Sequence, residues 1–405
     1  MLFLIKRKVI DERRAKAARA EKLKAEQAAN EESSDEDSDK MMKSSAILTD
    51  DVRSDPDFER YRIPQHDLEF VRQLSKGAGG VVNLAMWKPR KEQVVMKQVA
   101  PEKSKSLREL QRFTREIRLY ASLSHPKIVA FRGIAWSSLA DLSLVTEYMP
   151  NGDLAQFLER QQMLDSQRRG WNWSSDEDSG FTHSKLTVAL DIADALVYLH
   201  SFAEPIMHRD LKAQNVLLSN KWAAKISDFG VSKRRKQKNE HLGVSSGGPQ
   251  TAEVGTAAWI APEVIKGARY DQKADIYSFG VVMCELDTCA KPYTLGVASS
   301  HSASGMTSFV SSANATDEEV KTLLSSNAAL ALAVSEKGVT PAFHSDCPRA
   351  ILDLARMCLN YAPEDRPTAK ELWRLLQDLV APGALLVSSR KATLTESIRR
   401  VSTSA

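Results

Sequence analysis

Short apolar runs with the spacing of strands dominate the first part of the chain, and longer patterns with helical spacing follow them. The short runs predict strands at Leu68–Leu74, Gly80–Met86, Gln93–Val99, Ile128–Ile134 and Leu142–Glu147. Apolar residues recur every three to four positions in Leu107–Leu123 and Leu186–His200, which predicts one helix among the strands and a buried helix after them. Strands first and helices later predict an α+β fold whose two unequal lobes meet near residue 150.

The ends of the chain differ in composition from its centre. Residues 1–30 carry nine basic and four acidic side chains, and residues 31–39 then carry six acids and no base. Blocks of like charge generally stay solvated and exposed. The sequence therefore predicts a disordered or solvated-helical extension over 1–65, one domain over 66–381, and a Ser/Thr-rich basic tail over 382–405. Within the domain we expect lobes at 66–149 and 150–381 and surface insertions at about 161–180 and 294–312.

Composition and charge narrow the class of protein. Apolar residues make up 42% of the chain, which is enough for a sizeable core, and the formal net charge of +4 gives no support for nucleic-acid binding. Four cysteines in 405 residues give no disulfide framework, which predicts a reduced, cytoplasmic protein. No run approaches the ~18 apolar residues needed to span a bilayer. Met1–Ile5 precedes Lys6-Arg7-Lys8, so weak contact with an anionic membrane surface is an alternative to a plain helix start.

A glycine-rich turn, Leu74-Ser75-Lys76-Gly77-Ala78-Gly79-Gly80, separates the first two predicted strands. Backbone without Cβ approaches phosphates closely, although a β-hairpin with a flexible tip is an equal alternative for this turn alone. Lys97 ends the next apolar strand, and a lysine that faces the interior of the lobe needs an anion. Glu116 on the predicted helix is able to supply that anion. The position of Lys97 after the glycine-rich turn favours a functional lysine over one that points into water.

The strongest signal is His208-Arg209-Asp210-Leu211-Lys212-Ala213-Gln214-Asn215, followed 18 residues after Asp210 by Asp228-Phe229-Gly230. Polar side chains here interrupt apolar runs. Asp210, Asn215 and Asp228 offer three oxygen ligands or bases, a set suited to Mg²⁺ and to orienting a hydroxyl.

In this order the motifs resemble those of the eukaryotic protein kinase family. The matching set covers about residues 66–381 and consists of the glycine turn, Lys97, Glu116, Asp210 with Asn215, Asp228-Phe229-Gly230 and Ala261-Pro262-Glu263. The resemblance implies a bilobal protein kinase fold and an enzyme that uses ATP with Mg²⁺, or Mn²⁺. It implies that Asp210 accepts the proton of the substrate hydroxyl and that Lys212 steadies the γ-phosphoryl group. It also implies that Asn215 and Asp228 hold the metal and that Lys97, paired with Glu116, binds the phosphates.

The resemblance also assigns a nucleotide pocket. Thr146 takes the gatekeeper position, and the backbone of Glu147 and Met149 is expected to bind adenine. The other expected contacts are Leu74, Ser75, Gly77, Gly80, Val82, Val95 and Leu217. Ser75, Gly79 and Val95 depart from the family pattern, which has a first glycine, an aromatic tip and an alanine at these positions. The two added methyl groups of Val95 predict weaker ATP binding, since overpacking costs ~1–3 kcal/mol.

The expected substrate is a serine or threonine hydroxyl of another protein. Lys212 and Thr256 are typical of serine/threonine kinases, whereas Thr146-Glu147-Tyr148-Met149 and Trp259 look like tyrosine kinases. This mixture resembles the tyrosine-kinase-like group, whose members are mostly serine/threonine-specific, and it implies a role in signal transduction. Two alternatives stay open, a pseudokinase-type scaffold and a portion of a longer membrane receptor.

Arg209, beside the expected base, implies by the same resemblance that phosphorylation of the activation segment controls the enzyme. A phosphate in that segment would pair with Arg209 and order the loop. The candidates are Thr251 first, then Ser245, Ser246 and Thr256. The modifying enzyme is expected to be an upstream kinase or the protein itself.

Overall fold

The computed structural model describes residues 52–53, 55–77, 80–104, 106–137, 141–164, 171–174, 183–230, 232–234, 257–293 and 326–380. Within these residues a β-sheet with one long helix comes first, and a mainly helical part follows. The predicted α+β class with two unequal lobes is therefore confirmed.

The sheet of the first lobe has five antiparallel strands. They are β1 (Leu68–Gly77), β2 (Gly80–Trp87), β3 (Glu92–Gln98), β4 (Phe131–Ala135) and β5 (Ser143–Glu147), and their order across the sheet is β1-β2-β3-β5-β4. Side chains alternate between the two faces of a strand. Val94 and Met96 of β3 therefore pack in a small buried cluster with Val145, while Val95 and Lys97 lie on the opposite face.

One long helix, α2 (Leu107–Ala121), packs on this sheet; the single turn α1 (Pro56–Glu59) precedes the sheet in the chain. The hydroxyl of Ser106 accepts a hydrogen bond from the N–H of Glu109 and caps the start of α2. The buried face of α2 consists of Leu110, Phe113, Thr114, Glu116, Ile117 and Tyr120. The helix thus buries its predicted apolar stripe and carries Glu116 into the interior with it.

The second lobe is built on seven described helices, α3 (Leu154–Gln162), α4 (Lys185–His200), α5 (Pro262–Ile265), α6 (Lys273–Thr288), α7 (Asn327–Lys337), α8 (Arg349–Cys358) and α9 (Ala369–Val380). Helix α6 is buried along most of its length, and α9 packs along α4. Short strands form two ladders, β6 (Ile206–Met207) with β9 (Lys233–Arg234) and β7 (Val216–Leu218) with β8 (Ala224–Ile226). The polar motifs of the sequence lie in the loop between β6 and β7 and directly after β8.

The predicted extension over residues 1–65 is wrong for its last part. Val52, Phe58 and Ile63 are buried, and the N–H of Ile63 donates to the carbonyl of Ile134 in β4 (2.8 Å). Charged residues separate these apolar residues in the sequence, so that the charge pattern concealed them. The folded first lobe therefore begins before residue 66, whereas residues 1–51 lie outside the described residues.

The predicted surface insertion at about 161–180 also needs correction. Trp171 and Trp173 are buried, at 4% and 6% exposure. The indole N–H of Trp173 donates to Asp287 Oδ1 at the end of α6 (3.0 Å), and that of Trp171 donates to the carbonyl of His183 (2.7 Å). Because large aromatic rings gain much from burial when their N–H finds a partner, they anchor this polar stretch to the second lobe. The stretches 294–312 and 382–405 lie outside the described residues.

Two predicted strands have misplaced ends. Strand β1 continues to Gly77, which pairs with Gly80 across the turn. Strand β4 begins at Phe131, three residues after the predicted Ile128, because Ile128 instead forms a parallel bridge with Ile226 of β8. In the part of the chain that the structure describes, no helix is both long and apolar enough to cross a membrane.

Candidate active site

A half-buried lysine on β3 lies between carboxylates from two other elements. Lys97 Nζ donates to Glu116 Oε1 of α2 (2.7 Å) and to Asp228 Oδ1 after β8 (2.9 Å). The side chains of Lys97 and Glu116 are 17% and 6% exposed. The strand-end lysine thus has the anionic partner that it requires, together with a contact to Asp228 that sequence reasoning did not find.

The charges of Lys97 and Asp228 hold each other in the ionised form, whereas burial, together with the charge of Asp228, raises the pKa of Glu116. Burial alone would lower the pKa of Lys97, but the charges of Glu116 and Asp228 outweigh it and raise that pKa above its ordinary value. Burial acts to raise the pKa of Asp228, yet the Lys97 ammonium prevails and lowers it to about 2. Both groups are therefore charged throughout the neutral pH range.

The backbone around Asp228 is shaped to bring its carboxylate to β3. Asp228 has a φ of 62°, in the left-handed region that residues with a Cβ rarely adopt. Phe229 is buried and packs edge-on against Tyr120 of α2, with ring centroids 5.1 Å apart. A Cβ on Gly230 would lie 3.1 Å from Glu116 Oε2, so glycine leaves room for that carboxylate. Strained backbone of this kind is common at functional sites.

A second polar cluster occupies the loop between β6 and β7. Lys212 Nζ donates to Asp210 Oδ1 (3.0 Å), and Asn215 Nδ2 donates to Asp210 Oδ2 (2.8 Å). Behind the loop, the buried carboxylate of Asp275 on α6 accepts from the backbone N–H groups of His208 and Arg209, both at 2.9 Å. The Asp210 carboxylate is therefore oriented from both sides, and its loop is fixed to the most buried helix.

The two glycines of the turn between β1 and β2 differ in their surroundings. A Cβ on Gly80 would lie 2.1 Å from the carbonyl oxygen of Gln98 in β3, and its φ is +120°. A Cβ on Gly77 would meet no described atom within 4 Å. Packing within the described residues thus demands glycine at position 80 and not at position 77.

Of the other predicted contacts near the turn, Val82 lies beside Lys97 in the sheet, and Leu74 and Ser75 lie one strand further away. Leu74 is half-buried and Ser75 is exposed. Ser75 pairs with Val82 across β1 and β2, and Val82 pairs with Lys97 across β2 and β3. Val82 therefore lies directly opposite the half-buried Lys97 on the neighbouring strand.

The segment that links the lobes brings together most of the expected adenine contacts. Thr146 and Met149 are buried, and Thr146 pairs with Val95 between β5 and β3. The chain after Met149 adjoins β7, where Asp153 bridges to the half-buried Leu217. Thr146 thus lies beside Val95 in the sheet, and Leu217 lies beside the chain that follows Met149.

Glu147 in this segment makes side-chain contacts that sequence reasoning missed. Glu147 Oε1 accepts from Lys225 Nζ of β8 and from the N–H of Ala130, both at 2.6 Å. Lys225 lies three residues before Asp228. The segment between the lobes is therefore tied directly to the strand that positions Asp228.

A family model described as "Protein kinase domain" matches residues 68–375. The chain belongs to the protein kinase family. Among curated proteins this kinase is 30% identical over 77% of its length to the probable serine/threonine-protein kinase drkB of Dictyostelium discoideum. It is 33% identical over 57% of its length to the serine/threonine-protein kinase CTR1 of Arabidopsis thaliana, and 36% identical over 56% to the serine/threonine-protein kinase VIK of the same plant. It spans 37%, 25% and 47% of these relatives, less than half of each.

Protein kinases use ATP with a divalent cation, and the oxygen atoms of this kinase fit such a cation. Asn215 turns its amide nitrogen to Asp210, which leaves its amide oxygen as the group for a metal. Asp228 Oδ1 accepts from Lys97 and from the N–H of Gly230, which leaves Oδ2. Two such oxygens suit Mg²⁺ when phosphate oxygens complete its coordination. Among the described residues no three His, Cys, Asp or Glu side chains cluster to hold a metal by themselves.

The expected regulatory residues of the kinase are described only at Arg209. Its backbone φ is 69°, and its guanidinium lies 5.8 Å from the centre of the Tyr270 ring. The expected phosphorylation sites, Ser245, Ser246, Thr251 and Thr256, lie outside the described residues.

Sequence reasoning also missed Glu285, a buried acid in the last turn of α6. One oxygen of its carboxylate accepts from the N–H of Ala213 in the loop between β6 and β7 (3.1 Å) and from the indole N–H of Trp259 (2.8 Å). Burial raises the pKa of Glu285 to about 8. An acid inside the apolar run Val281–Leu286 was the available signal, because buried acids need partners.

Proposed function

We propose that this kinase transfers the γ-phosphoryl group of ATP to serine or threonine hydroxyls of protein substrates. The observation that supports it is the joint presence of two assembled charge clusters. One cluster is Lys97 between Glu116 and Asp228, and the other is Asp210 between Lys212 and Asn215. Phosphoryl transfer depends almost entirely on positioning and electrostatic stabilisation, and these clusters supply both.

Each cluster has its own part in the reaction. Asp210 accepts the proton of the attacking hydroxyl, because its carboxylate is held in place by neighbours that donate to it. Lys212, 3.0 Å from Asp210, stabilises the negative charge of the γ-phosphoryl group as it moves. Lys97 contacts the α- and β-phosphates from the side of β3. Asn215 and Asp228 hold Mg²⁺, or Mn²⁺, which neutralises phosphate charge when bound.

The resemblance to the kinase family assigns adenine to the backbone of Glu147 and Met149. The N–H of Glu147 donates to the carbonyl of Ala130 (3.0 Å), and its carbonyl, which accepts a long hydrogen bond from the Thr146 hydroxyl (3.5 Å), is the group offered to the nucleotide. The carbonyl of Met149 already accepts from the N–H of Gly152 (3.1 Å), so its N–H is the group offered. One acceptor and one donor two residues apart match the amino group and ring nitrogen of adenine.

Serine/threonine specificity rests on two supports of different kinds. Lys212 stands two residues after Asp210, as in the serine/threonine kinases that the sequence resembles, and it contacts that carboxylate. The relatives reported above are named serine/threonine-protein kinases. We place the protein substrates in the cytoplasm and the activity in signal transduction on the sequence grounds given earlier.

The test compares Asp210→Asn with the wild type in transfer of labelled phosphate to a basic protein, followed by analysis of the labelled amino acids. We expect label on Ser and Thr that falls at least about 100-fold in the variant, the typical contribution of a general base. Asp353→Asn, an exposed acid of α8 paired with Arg349 (2.9 Å), is the matched control and should keep full activity. A folded wild type, phosphorylated in the activation segment, that transfers no label would contradict the proposal and favour the scaffold alternative.

Control through the activation segment is part of the proposal. Arg209, next to the base, would pair with a phosphate on Thr251, added by an upstream kinase or by the protein itself. We expect Thr251→Ala to lower turnover severalfold. Equal turnover of the phosphorylated wild type and a fully dephosphorylated preparation would contradict this.

A further inference from the structure

A segment before the family match packs on the first lobe. We call residues 52–63, all described except Ser54, the N-terminal strap. The match to the protein kinase domain begins only at residue 68. The strap contains α1, and its apolar residues Val52, Phe58 and Ile63 are 1%, 8% and 2% exposed. Val52 and Phe58 belong to the same buried cluster as Ile117 of α2.

One end of the strap is bonded to β4. The N–H of Ile63 donates to the carbonyl of Ile134 (2.8 Å), and the N–H of Ile134 donates to the carbonyl of Tyr61 (2.9 Å). A Cβ on Gly133 would lie 2.5 Å from the carbonyl oxygen of Tyr61 and 2.8 Å from the side chain of Ile63. The strap thus occupies space that only glycine in β4 leaves free, which fixes its position on the sheet.

The other end of the strap contacts α2 through Arg118. Arg118 Nη1 donates to Asp55 Oδ2, and the guanidinium lies over the ring of Phe58, 5.1 Å from its centre. Asp55 also caps α1, since its Oδ1 accepts from the N–H of Asp57 (3.0 Å). Arg118 is therefore held by a charge and by an aromatic face that belong to one short, capped turn.

Arg118 lies on the side of α2 away from the active site. Each helical residue turns about 100° around the axis, so Arg118 projects roughly 200° from Glu116. The strap therefore holds the helix from the far side, while Lys97 holds Glu116 from the near side. Displacing α2 toward solvent would break the contact between Glu116 and Lys97 (2.7 Å), and the strap opposes that movement.

We propose that the N-terminal strap keeps α2 in the position in which Glu116 pairs with Lys97, and that Asp55 and Phe58 are positioning residues for phosphoryl transfer. This inference rests on the proposed kinase activity for its catalytic consequence, but not for its structural one. The strap acts through α2 and touches neither the nucleotide nor the transferred group.

The test uses the full chain with Asp55→Asn, because asparagine still caps a helix and only the charge that holds Arg118 is lost. Asp57→Asn removes the same charge two residues along, on an exposed residue of α1, and is the matched control. Phe58→Ala removes the aromatic face as an independent variant. The readouts are kcat and the KM for ATP, and hydrogen exchange of the α2 amides without nucleotide.

We expect Asp55→Asn and Phe58→Ala to lower kcat about three- to tenfold, the range for loss of a charged contact and of a cation–π contact. The α2 amides should exchange several times faster than in the wild type, while helices of the second lobe exchange as before. Asp57→Asn should match the wild type in both readouts. Asp55→Asn combined with Arg118→Gln should be no worse than the stronger single variant, because both remove one contact.

Unchanged kcat together with unchanged α2 exchange in both strap variants would overturn the inference. An equal rise of exchange in both lobes would also overturn it, since it would show a general loss of stability. If the wild type transfers no phosphate, the proposed function fails, and the exchange experiment alone then decides the role of the strap.

Discussion

Gly77 and Gly80 stand at the two ends of one turn, and the structure predicts opposite consequences of replacing each with alanine. A Cβ on Gly80 would lie 2.1 Å from the carbonyl oxygen of Gln98, a distance at which one of the two strands must move. Its φ of +120° adds strain for any residue with a Cβ. No described atom lies within 4 Å of the point where a Cβ on Gly77 would be built.

The magnitudes follow from these surroundings. For Gly80→Ala, backbone in a glycine-only region costs about 1–3 kcal/mol, and separation of β2 from β3 adds to it. The melting temperature should therefore fall by about 2–6 °C from the backbone strain alone, at roughly 2 °C per kcal/mol for a domain of this size. Gly77→Ala should change the free energy of unfolding by less than about 1 kcal/mol, with stabilisation the favoured sign, since alanine restricts the unfolded chain.

Gly77→Ala should weaken ATP binding although it barely changes stability. No described atom occupies the space beside Gly77, so that, if the turn covers the phosphates, the nucleotide needs this space and a methyl group would enter it. Losing one charge-assisted hydrogen bond from the backbone to a phosphate raises the KM for ATP about tenfold or more. The assays are thermal unfolding without nucleotide and initial rates over a range of ATP concentrations.

A thermally normal Gly77→Ala variant with wild-type KM would refute the assignment of this turn to phosphate binding. A Gly80→Ala variant with an unchanged melting temperature would refute the steric argument.

Three further predictions concern the pocket wall, the 171–174 anchor and α6. Val95→Ala should lower the KM for ATP at least about fivefold if the two methyl groups crowd adenine. A lower initial rate of the variant at limiting ATP would contradict this. Trp173→Phe leaves Asp287 Oδ1 without its donor (3.0 Å), so the free energy of unfolding should drop about 1–3 kcal/mol in urea titrations with kcat unchanged. Burial raises the pKa of Glu285 from 4.5 to about 8, so the unfolded state loses this proton first and stability falls as pH rises from 4.5 to 8. Glu285→Gln should remove that decline. The same change in the free energy of unfolding between pH 5 and pH 8 for both proteins, measured by urea titration, would contradict this.

Local sequence pattern accounts for much of the first lobe. The position of Lys97 after the glycine-rich turn predicted a functional lysine, and the helical spacing of α2 predicted its buried stripe. Neither pattern indicates which distant residue meets Lys97, because Asp228 is 131 positions away. Only the family resemblance linked these motifs before the structure brought them together.

The errors share a physical cause. Residues 52–65 and 161–180 were predicted as solvated from their average charge, yet a few large apolar residues in each segment are buried against the fold. Phe58 and Trp173 bury rings whose apolar area outweighs many exposed charges, since those charges stay in water either way. An average over a window cannot detect anchors that are this sparse, whereas a search for isolated aromatics inside charged stretches would have found both.

The charges of the candidate site account for the pairing of nucleotide with cation. Lys97 and Lys212 contribute two positive charges, and Glu116, Asp210 and Asp228 contribute three negative ones, so the formal sum is −1. A nucleotide phosphate chain without a cation would meet net repulsion in this partly desolvated space. A divalent cation held, as proposed, by Asn215 and Asp228 would reverse that sign. The acids around Lys97 keep the lysine charged, and the same excess of negative charge would make anion binding depend on the metal.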